Sequence, residues 1–293
     1  MLYPLFCLDF IFKRCYNKMK MNNIFEVNII TAREIMNDLF SMAQDVDYSN
    51  TCDTCKAGNP DREVKKIAVS MFATPEIVRK ASEWGAELLI VHEPTYYDHF
   101  DGHTDDKIES EKRKLIEDCG IVLYRYHDHM HFTIPDMILK GQLKKFGLEG
   151  EVEYFDLKDH ARITLDTPLT SIELAKIIED RCGIKHMRIC GTTDKKCTNI
   201  SVMPGTPAGV FEELKRDETQ ILLTGEAIEW MLGEYARDAS QLGYTKTLII
   251  MGHIGSERDG MIDLADILKN KYPSVDVKYF ECGEVYSYTD CNS

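Results

Sequence analysis

The sequence predicts an α/β protein of two lobes, in which mostly parallel sheets are flanked by helices. Short apolar segments of strand length alternate with segments that carry helix-start and helix-stop signals, as in βαβ units. A charged stretch at 146–160 interrupts this alternation, which then resumes and indicates a second lobe. Histidine and glutamate residues directly follow several apolar segments, and this places a site at the carboxyl ends of the strands, between the lobes.

The elements of the first lobe follow one another in βαβ order. Thr31 and Glu34 form a capping box at the start of the first helix. The next helix, PEIVRKASEW, is predicted between Thr74 as its N-cap and Gly85 as its stop. A third helix, EKRKLIEDC, ends at Gly120. The predicted strands around these helices are KKIAVSMFA, ELLIV and IVLYRY.

The second lobe repeats these signals. ARITLD is predicted as a strand, and the helix after it has a capping box from Thr170 to Glu173 and a stop at Gly183. MPGTPAGVFEEL is predicted as a turn that leads into a helix. The other predicted strands are HMRIC, NISVM, QILLT, KTLIIM and VKYFE.

The domain boundaries depend on the charged stretch and on the N-terminal segment. The first twenty residues are apolar first and basic afterwards, which is the reverse of a secretory signal. We favour a start site placed too early, with the working protein beginning near Met19 or Met21, over a short membrane-surface anchor. The predicted segments are a dispensable 1–20, a first lobe of 21–145 with 241–293, and a second lobe of 146–240.

Composition and charge exclude several classes of function. The 293 residues carry a net charge of -14 at pH 7, so we expect no binding to the phosphates of nucleic acid. No apolar run reaches the roughly eighteen residues that cross a bilayer. Ten cysteines without a credible secretory signal favour reduced thiols and a cytoplasmic location. Cys52 and Cys55 form a CxxC pair, but Gly58 and Pro60 follow, which favours loop cysteines over a redox pair or a zinc ribbon.

Residue types that bind metals follow three of the predicted strands, and six of the nine histidines fall between residues 92 and 131. The carboxyl ends of parallel strands meet at one edge of a sheet, so these side chains are expected to converge. Imidazole and carboxylate groups suit zinc, iron(II) and manganese. The residues are His92 and Glu93 after ELLIV, His127 to His131 after IVLYRY, and His253 and Glu257 after KTLIIM.

The spacing leaves the local geometry of two segments open. In YHDHMH the alternate histidines share one face only if the strand continues, and such a face is either half of a metal site or accidental. His253 and Glu257 share a face on a helical turn, while Gly252 and Gly255 equally permit a loop. Six ligands are too many for one tetrahedral ion that keeps a water, and they suit two ions roughly 3.5–4 Å apart.

Four segments, VHEPTYY, YHDHMH, TGE and GHIGSE, resemble in order the metal-binding segments of the Nif-three-like dinuclear metal centre proteins. Members of this family are often described as GTP cyclohydrolase I type II homologues, and the resemblance covers about residues 24–290. It implies two α/β lobes and two divalent metal ions, such as zinc, iron or manganese. It also implies hydrolysis of a small-molecule substrate by a metal-bridging hydroxide, and a toroidal homohexamer whose metal sites face an internal cavity.

Two of the implied ligands differ from the family pattern. Glu93 stands where the family has the second histidine of a pair, and His131 stands where it usually has a metal-bridging aspartate. This double exchange retains the number of ligands and roughly their total charge, and it leaves Glu93 and Glu257 as the expected bridging residues. The full set of predicted metal ligands is His92, Glu93, His127, His131, His253 and Glu257.

Two further residues and two further functions complete the prediction. His129 and Glu226 are expected either to support the ligands or to act in acid/base catalysis. The leading function is a cytoplasmic hydrolase that opens GTP or a similar small molecule, although no Gly-x4-Gly-Lys-Ser/Thr phosphate loop is present. The alternatives are a metal-handling or regulatory binding protein without turnover, and an interaction protein whose metal site only stabilises the fold.

Overall fold

Two β-sheets, each flanked by helices, organise the part of the chain that the computed structural model describes, which is residues 30–43, 48–102, 104–155 and 160–289. This arrangement confirms the predicted α/β fold class. The extension predicted at 1–20 lies outside the described residues. Within them, no helix is both long enough and apolar enough to cross a membrane.

The first sheet contains five strands in the order β1-β4-β3-β2-β11. Strands β4, β3, β2 and β11 are parallel, and the short edge strand β1 pairs antiparallel with β4. All residues of β3 and β4 are buried because helices cover both faces of this sheet. The strands are β1 (Cys55–Ala57), β2 (Lys66–Ser70), β3 (Leu88–Val91), β4 (Val122–Arg125) and β11 (Asp276–Tyr279).

Local signals predict the first two helices of this half, and the third ends at Gly120 as predicted but begins at Lys107 rather than Glu111, while the fourth and fifth have no counterpart in the prediction. The hydroxyl of Thr31 accepts from the N–H of Glu34, whose carboxylate accepts from the N–H of Thr31, and this capping box opens α1. Gly85 ends α2 in the left-handed conformation, at φ 83°. The helices are α1 (Ala32–Phe40), α2 (Pro75–Trp84), α3 (Lys107–Cys119), α4 (Asp128–His131) and α5 (Met137–Phe146), and a 3-10 turn spans Tyr48–Asn50.

The second sheet contains six strands in the order β5-β6-β8-β9-β10-β7 and is mixed rather than mostly parallel. Strands β8, β9 and β10 are parallel, whereas β5, β6 and β7 run antiparallel to their neighbours. The strands are β5 (Gly150–Tyr154), β6 (Ala161–Leu169), β7 (Arg188–Gly191), β8 (Cys197–Met203), β9 (Ile221–Thr224) and β10 (Thr247–Ile250). The helices are α6 (Ser171–Cys182), α7 (Val210–Lys215), a π-helical turn (Glu229–Gly233), α8 (Glu234–Gln241) and α9 (His253–Lys271).

Strand β10 lies in the second sheet, whereas the predicted boundary at residue 241 assigns it to the first lobe. Its four residues are buried, and they pair in parallel with β9 and antiparallel with β7, so both of its edges are satisfied there. Only α9 and β11 return the chain to the first sheet. The division of the protein into two separate lobes stays a prediction.

Helix α9 bridges the two sheets and crosses α5 at very short range. A Cβ atom added to Gly141 of α5 would lie 2.6 Å from the Cα of Gly260 in α9, and a Cβ on Gly260 would lie 2.6 Å from the Cα of Ile138. Only glycine permits this approach of two backbones. Leu139, Leu143 and Phe146 of α5 belong to the core of the second sheet, so the crossing ties α9, which carries two predicted ligands, to that core.

Candidate metal centre

The predicted metal ligands emerge at the carboxyl ends of parallel strands in both sheets. In the first sheet, Val91 of β3 is in register with Arg125 of β4, so the residues that follow these strands leave the sheet side by side. In the second sheet, Thr224 of β9 is in register with Ile250 of β10. The loop after β9 and the start of α9 therefore approach the same region from the opposite side.

The histidine-rich segment after β4 forms a short helix rather than a continued strand. His127 precedes α4 as its N-cap, and His131 ends it. The alternate histidines therefore do not share a face: His127 and His131 lie one helical turn apart on the same side, whereas His129 lies on the other side. We name residues 127–131 the histidine turn.

Asp53, from the loop before β1, holds the histidine turn. Its Oδ1 accepts hydrogen bonds from the backbone N–H groups of His127 at 2.7 Å and Asp128 at 3.0 Å. Its Oδ2 accepts from the N–H of His129 at 2.8 Å and lies 2.8 Å from Nδ1 of the same residue. The N–H groups of a first helical turn have no partner within the helix, so a buried carboxylate is well placed to bind them.

Three imidazoles converge where the histidine turn meets the end of β3. Each ring donates its Nδ1–H to a fixed oxygen, so each Nε2 is left with a lone pair. The Nε2 atoms of His92 and His131 face each other at 3.2 Å, and one ligand atom from each of the three rings lies within 4.8 Å of the others. The Nδ1 partners are the carbonyl of Tyr126 for His92 at 3.1 Å, Asp128 for His127 at 2.9 Å and Asp136 for His131 at 2.9 Å.

Two buried glutamates and a further histidine lie directly beside these imidazoles. Nε2 of His253 lies 2.6 Å from Oε1 of Glu93 and 3.2 Å from Oε2 of Glu257. The same Oε2 atom of Glu257 is 3.7 Å from Nε2 of His92. His92, Glu93 and Glu257 thus form a second set of ligand atoms within 4.8 Å of one another, and it shares His92 with the first set.

Glu226 and Gly205 support this second set. The carboxylate of Glu226 accepts from Nδ1 of His253 at 3.0 Å, which leaves Nε2 to face the two buried glutamates. The backbone of Gly205 lies against Glu257 in the left-handed conformation, at φ 62°, and a Cβ atom there would be 2.2 Å from Oε1 of Glu257. A side chain at this position of the loop after β8 would collide with the carboxylate, so only glycine fits there.

Burial and mutual proximity shift the pKa values of these groups. Burial lowers the pKa of His92 and His127, and the neighbouring histidine charges lower it further. Burial raises the pKa of Glu257 to about 7, and the charge of Glu93 adds to this effect. Burial opposes the charge on both Glu93 and His253. The hydrogen bond with His253 nevertheless lowers the pKa of Glu93, and hydrogen bonds to Glu226, Glu257 and Glu93 raise the pKa of His253.

These observations test whether the residues fit a metal ion. Two imidazole Nε2 atoms with lone pairs face each other at 3.2 Å, and both Nδ1–H groups are already bound elsewhere. The buried Oε2 of Glu257 has no hydrogen-bond partner among the described residues and lies close to two imidazoles. Convergent, buried electron-pair donors of this kind are the expected surroundings of a cation. The donor sets are therefore compatible with metal binding.

The two residues predicted to support the ligands or act on substrate are placed differently. Glu226 lies half-exposed beside His253, as a partner of a predicted ligand. His129 is fully buried, bonds to Asp53 and packs against the ring of Phe40 with centroids 4.1 Å apart. The structure does not bring His129 to the cavity beside the ligands, because the histidine turn is helical and directs this ring to the opposite side.

Cys52 contributes a third set of possible ligand atoms with His127 and Asp128. Its thiol donates to Oδ1 of Asp128 at 3.3 Å, and the loop around it also binds the second oxygen of Asp128 through Thr51 at 2.8 Å. Burial strongly raises the pKa of Cys52, so the thiol stays protonated at neutral pH and does not offer a thiolate. Cys52 therefore serves as a hydrogen-bond donor that helps to orient Asp128.

Sequence reasoning did not find the aspartates that orient the histidines. Asp53 lies in the CxxC segment, and Asp136 both caps α5 through Leu139 and binds His131. Neither is spaced from its histidine in a way that would identify it. The only available signal was Asp128 within the histidine motif itself.

A cavity of about 520 Å³ opens beside both ligand sets. Ligand-binding clefts in proteins commonly have volumes of roughly 300–1,000 Å³, so a small molecule fits here. Its walls combine ligands from both sets with apolar and cationic side chains from β4, α3 and nearby loops. Among them are His127, His131, His253, Glu257, Phe72, Tyr97, Lys112 and Arg125.

Comparisons with known proteins agree with this architecture. A family model described as Duf34/NIF3 (NGG1p interacting factor 3) matches residues 27–284. A protein of Clostridium perfringens named GTP cyclohydrolase 1 type 2 homolog is 21% identical over 254 residues, covering 83% of this chain and 94% of the relative. A protein of the same name from Halobacterium salinarum is 24% identical over 214 residues, covering 70% and 80%. The crystal structure of the Staphylococcus aureus hypothetical protein SA1388 has the same fold, with a TM-score of 0.70, 18% identity, and coverage of 89% of this chain and 100% of that one.

Proposed function

This chain belongs to the Duf34/NIF3 family, and from that premise we propose that it is a dinuclear metal-dependent hydrolase of small molecules. The observation that carries the proposal is the pair of buried ligand sets that share His92 and face one cavity. The name that two relatives carry, GTP cyclohydrolase 1 type 2 homolog, makes the ring opening of GTP the first reaction to test.

The chemistry of the donors supports two ions of the zinc, iron or manganese type. Imidazole is a good ligand for all three, and carboxylate favours the harder ions. In this proposal His92, His127 and His131 would hold one ion, and Glu93 and Glu257, together with the adjacent His253, would hold the other, with His92 within reach of both. A bound pair of divalent ions lowers the pKa of water towards neutrality and polarises the bond that is to be hydrolysed.

The chain's own residues would do the positioning. Asp128 and Asp136 fix the rings of His127 and His131 by accepting their Nδ1–H groups, and Glu226 does the same for His253. Such partners set which nitrogen carries the proton and raise the basicity of the other one. The surrounding burial limits the entry of water to the side of the cavity.

The experiment combines metal analysis with a substrate panel. The purified chain is loaded with zinc, iron or manganese, its metal content is measured, and hydrolysis of nucleotides including GTP, phosphoesters and amides is followed. Glu257→Gln keeps the size of the side chain but removes a charged ligand, so we expect loss of metal together with loss of turnover. Glu229→Gln, at an exposed position in the π-helical turn, is the matched control and should leave both unchanged.

The outcomes separate the proposal from its alternatives. The hydrolase proposal is supported if the wild type and Glu229→Gln turn over a substrate and Glu257→Gln does not. Stoichiometric metal binding without turnover of any compound in the panel would contradict it and favour a metal-handling protein. A chain that binds no metal would contradict both.

The assembly and location expected from the sequence stay proposals. The family resemblance leads us to propose a homohexamer, which multi-angle light scattering of the purified chain tests directly. A monomer or dimer at micromolar concentration would contradict this proposal. A cytoplasmic location is proposed from the cysteine content and is tested by fractionation of the source cells.

A further inference from the structure

The cavity beside the ligand sets has two buried cationic side chains in its wall, Arg125 and Lys112. Arg125 ends β4, two residues before the histidine turn, and Lys112 reaches the cavity from α3. Buried arginine and lysine residues are rare unless their charge is paired, because transfer of a charge from water is costly. Their position next to a predicted reaction centre therefore requires an explanation.

The guanidinium group of Arg125 is fully buried and only partly bound. Its Nε donates to the carbonyl oxygen of His92 at 3.0 Å, and its Nη1 donates to the carbonyl oxygen of His99. Its Nη2 has no hydrogen-bond partner among the described residues. An unbound N–H donor at a buried position costs free energy, and an oxygen atom of a ligand would remove that cost.

The ammonium group of Lys112 is also short of partners. Its Nζ donates to the carbonyl oxygen of Thr95 at 2.5 Å, and only 7% of the residue is exposed. Burial lowers the pKa of Lys112 to about 8, and the carboxylate of Asp101 only partly opposes this effect. An ammonium group has three N–H donors; one binds Thr95, the Nζ also lies 5.1 Å from the centre of the Tyr97 ring, and a ligand oxygen can accept from a donor that is left.

The carboxylate of Asp101 forms ion pairs with two cations and interacts electrostatically with a third, Lys112. It lies 2.9 Å from Nζ of Lys56 and 3.8 Å from Nη1 of Arg125, and both partners are buried. One carboxylate cannot neutralise these two charges and the nearby Lys112 as well. A surplus of positive charge is thus buried at this wall, and it is costly unless an anion compensates it.

The other carboxylates of the cavity have partners of their own. Glu93 and Glu257 belong to the candidate metal set with His253. Asp98 accepts hydrogen bonds from the backbone N–H groups of Phe100 and Gly102, both at 3.1 Å. Among the described residues, no ion pair joins these carboxylates to Lys112 or Arg125.

We propose that Lys112 and Arg125 bind an anionic oxygen group of the substrate, a phosphate or a carboxylate, while the reacting part of the substrate lies at the metal centre. This proposal deepens the hydrolase proposed above and rests on it. It makes the substrate class an anionic small molecule. Lysine provides a point charge and arginine provides directed donors, a combination that is common in phosphate recognition.

Calorimetric titration of the full chain with inorganic phosphate and, separately, with acetate tests this assignment. Each titration is performed on metal-loaded protein and again after chelation, so that binding by metal ions is separated from binding by the wall. The variant is Lys112→Gln, whose amide can still donate to the carbonyl of Thr95 but carries no charge. Lys107→Gln is the control, because Lys107 is an exposed lysine on the same helix that pairs with Glu111.

We expect phosphate to bind in both metal states, and Lys112→Gln to weaken this binding about tenfold or more, as for the loss of one charge-assisted hydrogen bond. Lys107→Gln should match the wild type. If acetate shows this dependence on Lys112 and phosphate does not, the anion is a carboxylate. The proposal would be overturned if Lys112→Gln and Lys107→Gln bound phosphate and acetate with equal affinities. It would also be overturned if chelation abolished anion binding, or if neither anion bound. Because chelated protein has no hydrolase activity to lose, failure here is distinct from failure of the hydrolase.

Discussion

Replacement of Asp53 by asparagine should loosen the histidine turn and weaken metal binding. Asp53 accepts three backbone N–H groups at 2.7 to 3.0 Å and lies 2.8 Å from Nδ1 of His129. Asparagine keeps one acceptor oxygen and replaces the other by an N–H2 group that cannot accept. If the remaining oxygen binds His127 and Asp128, the N–H of His129 then faces another donor.

The magnitude follows from the number of bonds lost. One of the four contacts, to the N–H of His129, disappears, a neutral hydrogen bond replaces the one to Nδ1 of His129, and the others lose the strength that a charged acceptor gives. A hydrogen bond to a charged group contributes roughly 1.5–3 kcal/mol, so we expect the free energy of unfolding to fall by about 2–4 kcal/mol once His129 changes its tautomer. This is smaller than the roughly 5–15 kcal/mol of a typical domain, so the variant should remain folded.

The metal affinity should fall as well, because His127 and His131 lie on the turn that Asp53 holds. Loss of an outer partner of a ligand commonly reduces metal affinity by about 10–100-fold. The assay is competition with a chromophoric chelator for zinc, together with denaturant unfolding of the chelated chain followed by circular dichroism. Asp61→Asn is the matched control, since Asp61 is exposed and pairs with Arg33 away from the turn. If both variants bind zinc as tightly as each other and unfold alike, Asp53 does not hold the site.

Three further predictions concern the site and its cavity. Glu226→Gln should reduce metal affinity by about tenfold or more, because His253 loses a charged partner, and chelator competition against Glu229→Gln checks this. Phosphate binding should be present at pH 7 and weaken as the pH rises above about 8, because burial lowers the pKa of Lys112 to about 8 and only the ammonium form binds the anion. Titrations at pH 7 and 9.5 measure this decline, which Lys112→Gln should not show. Chelation of metal-loaded protein should lower the melting temperature by about 5–10 °C. Metal at a hundred times its Kd stabilises the fold by about 2.7 kcal/mol, and the melting temperature of a chain of this size shifts by about 2–4 °C per kcal/mol. An unchanged melting temperature in scanning calorimetry would refute this prediction.

Local signals were sufficient for the first two helices, α1 and α2. The capping box at Thr31 and the paired signals of Thr74 and Gly85 satisfy the free N–H and C=O groups at helix ends within a few residues. Such information is contained in the neighbouring sequence, so the predicted bounds agree with the structure there. Apolar runs such as ELLIV likewise indicate strands that are buried on both faces, and β3 is one.

Helix α9 has no comparable signal, although it positions two predicted ligands. Gly255 and Gly260 reduce its intrinsic helix propensity, and residues on most of its sides are buried, so no amphipathic stripe identifies it. The glycines are explained only by contacts with distant segments. Gly260 packs on Ile138 of α5, and a Cβ on Gly255 would lie 3.2 Å from the side chain of Ile184. Tertiary packing, which one sequence does not display, decides this element.

The histidine motif shows the same division between what spacing can and cannot predict. It correctly indicated that metal-binding residue types gather after β4, but the period of two suggested a strand face. The short helix forms because Asp53, more than seventy residues away in sequence, binds the N–H groups of its first turn. A partner at that separation leaves no trace in the local pattern, so the choice between strand and helix was not available from the sequence.

The geometry of the site shows where the two exchanged ligand types lie, the carboxylate of Glu93 in place of an imidazole and the imidazole of His131 in place of a carboxylate. These residues follow different strands, and the exchange moves a negative charge from the histidine turn to the end of β3, beside α9. His131 there joins His92, with Nε2 atoms 3.2 Å apart, whereas Glu93 lies 2.6 Å from Nε2 of His253. One ligand set therefore consists of neutral imidazoles, and the other contains two carboxylates. Imidazole suits zinc and iron, and carboxylate suits harder ions such as manganese, so in the proposed two-ion site the two sets would differ in the ions that they prefer.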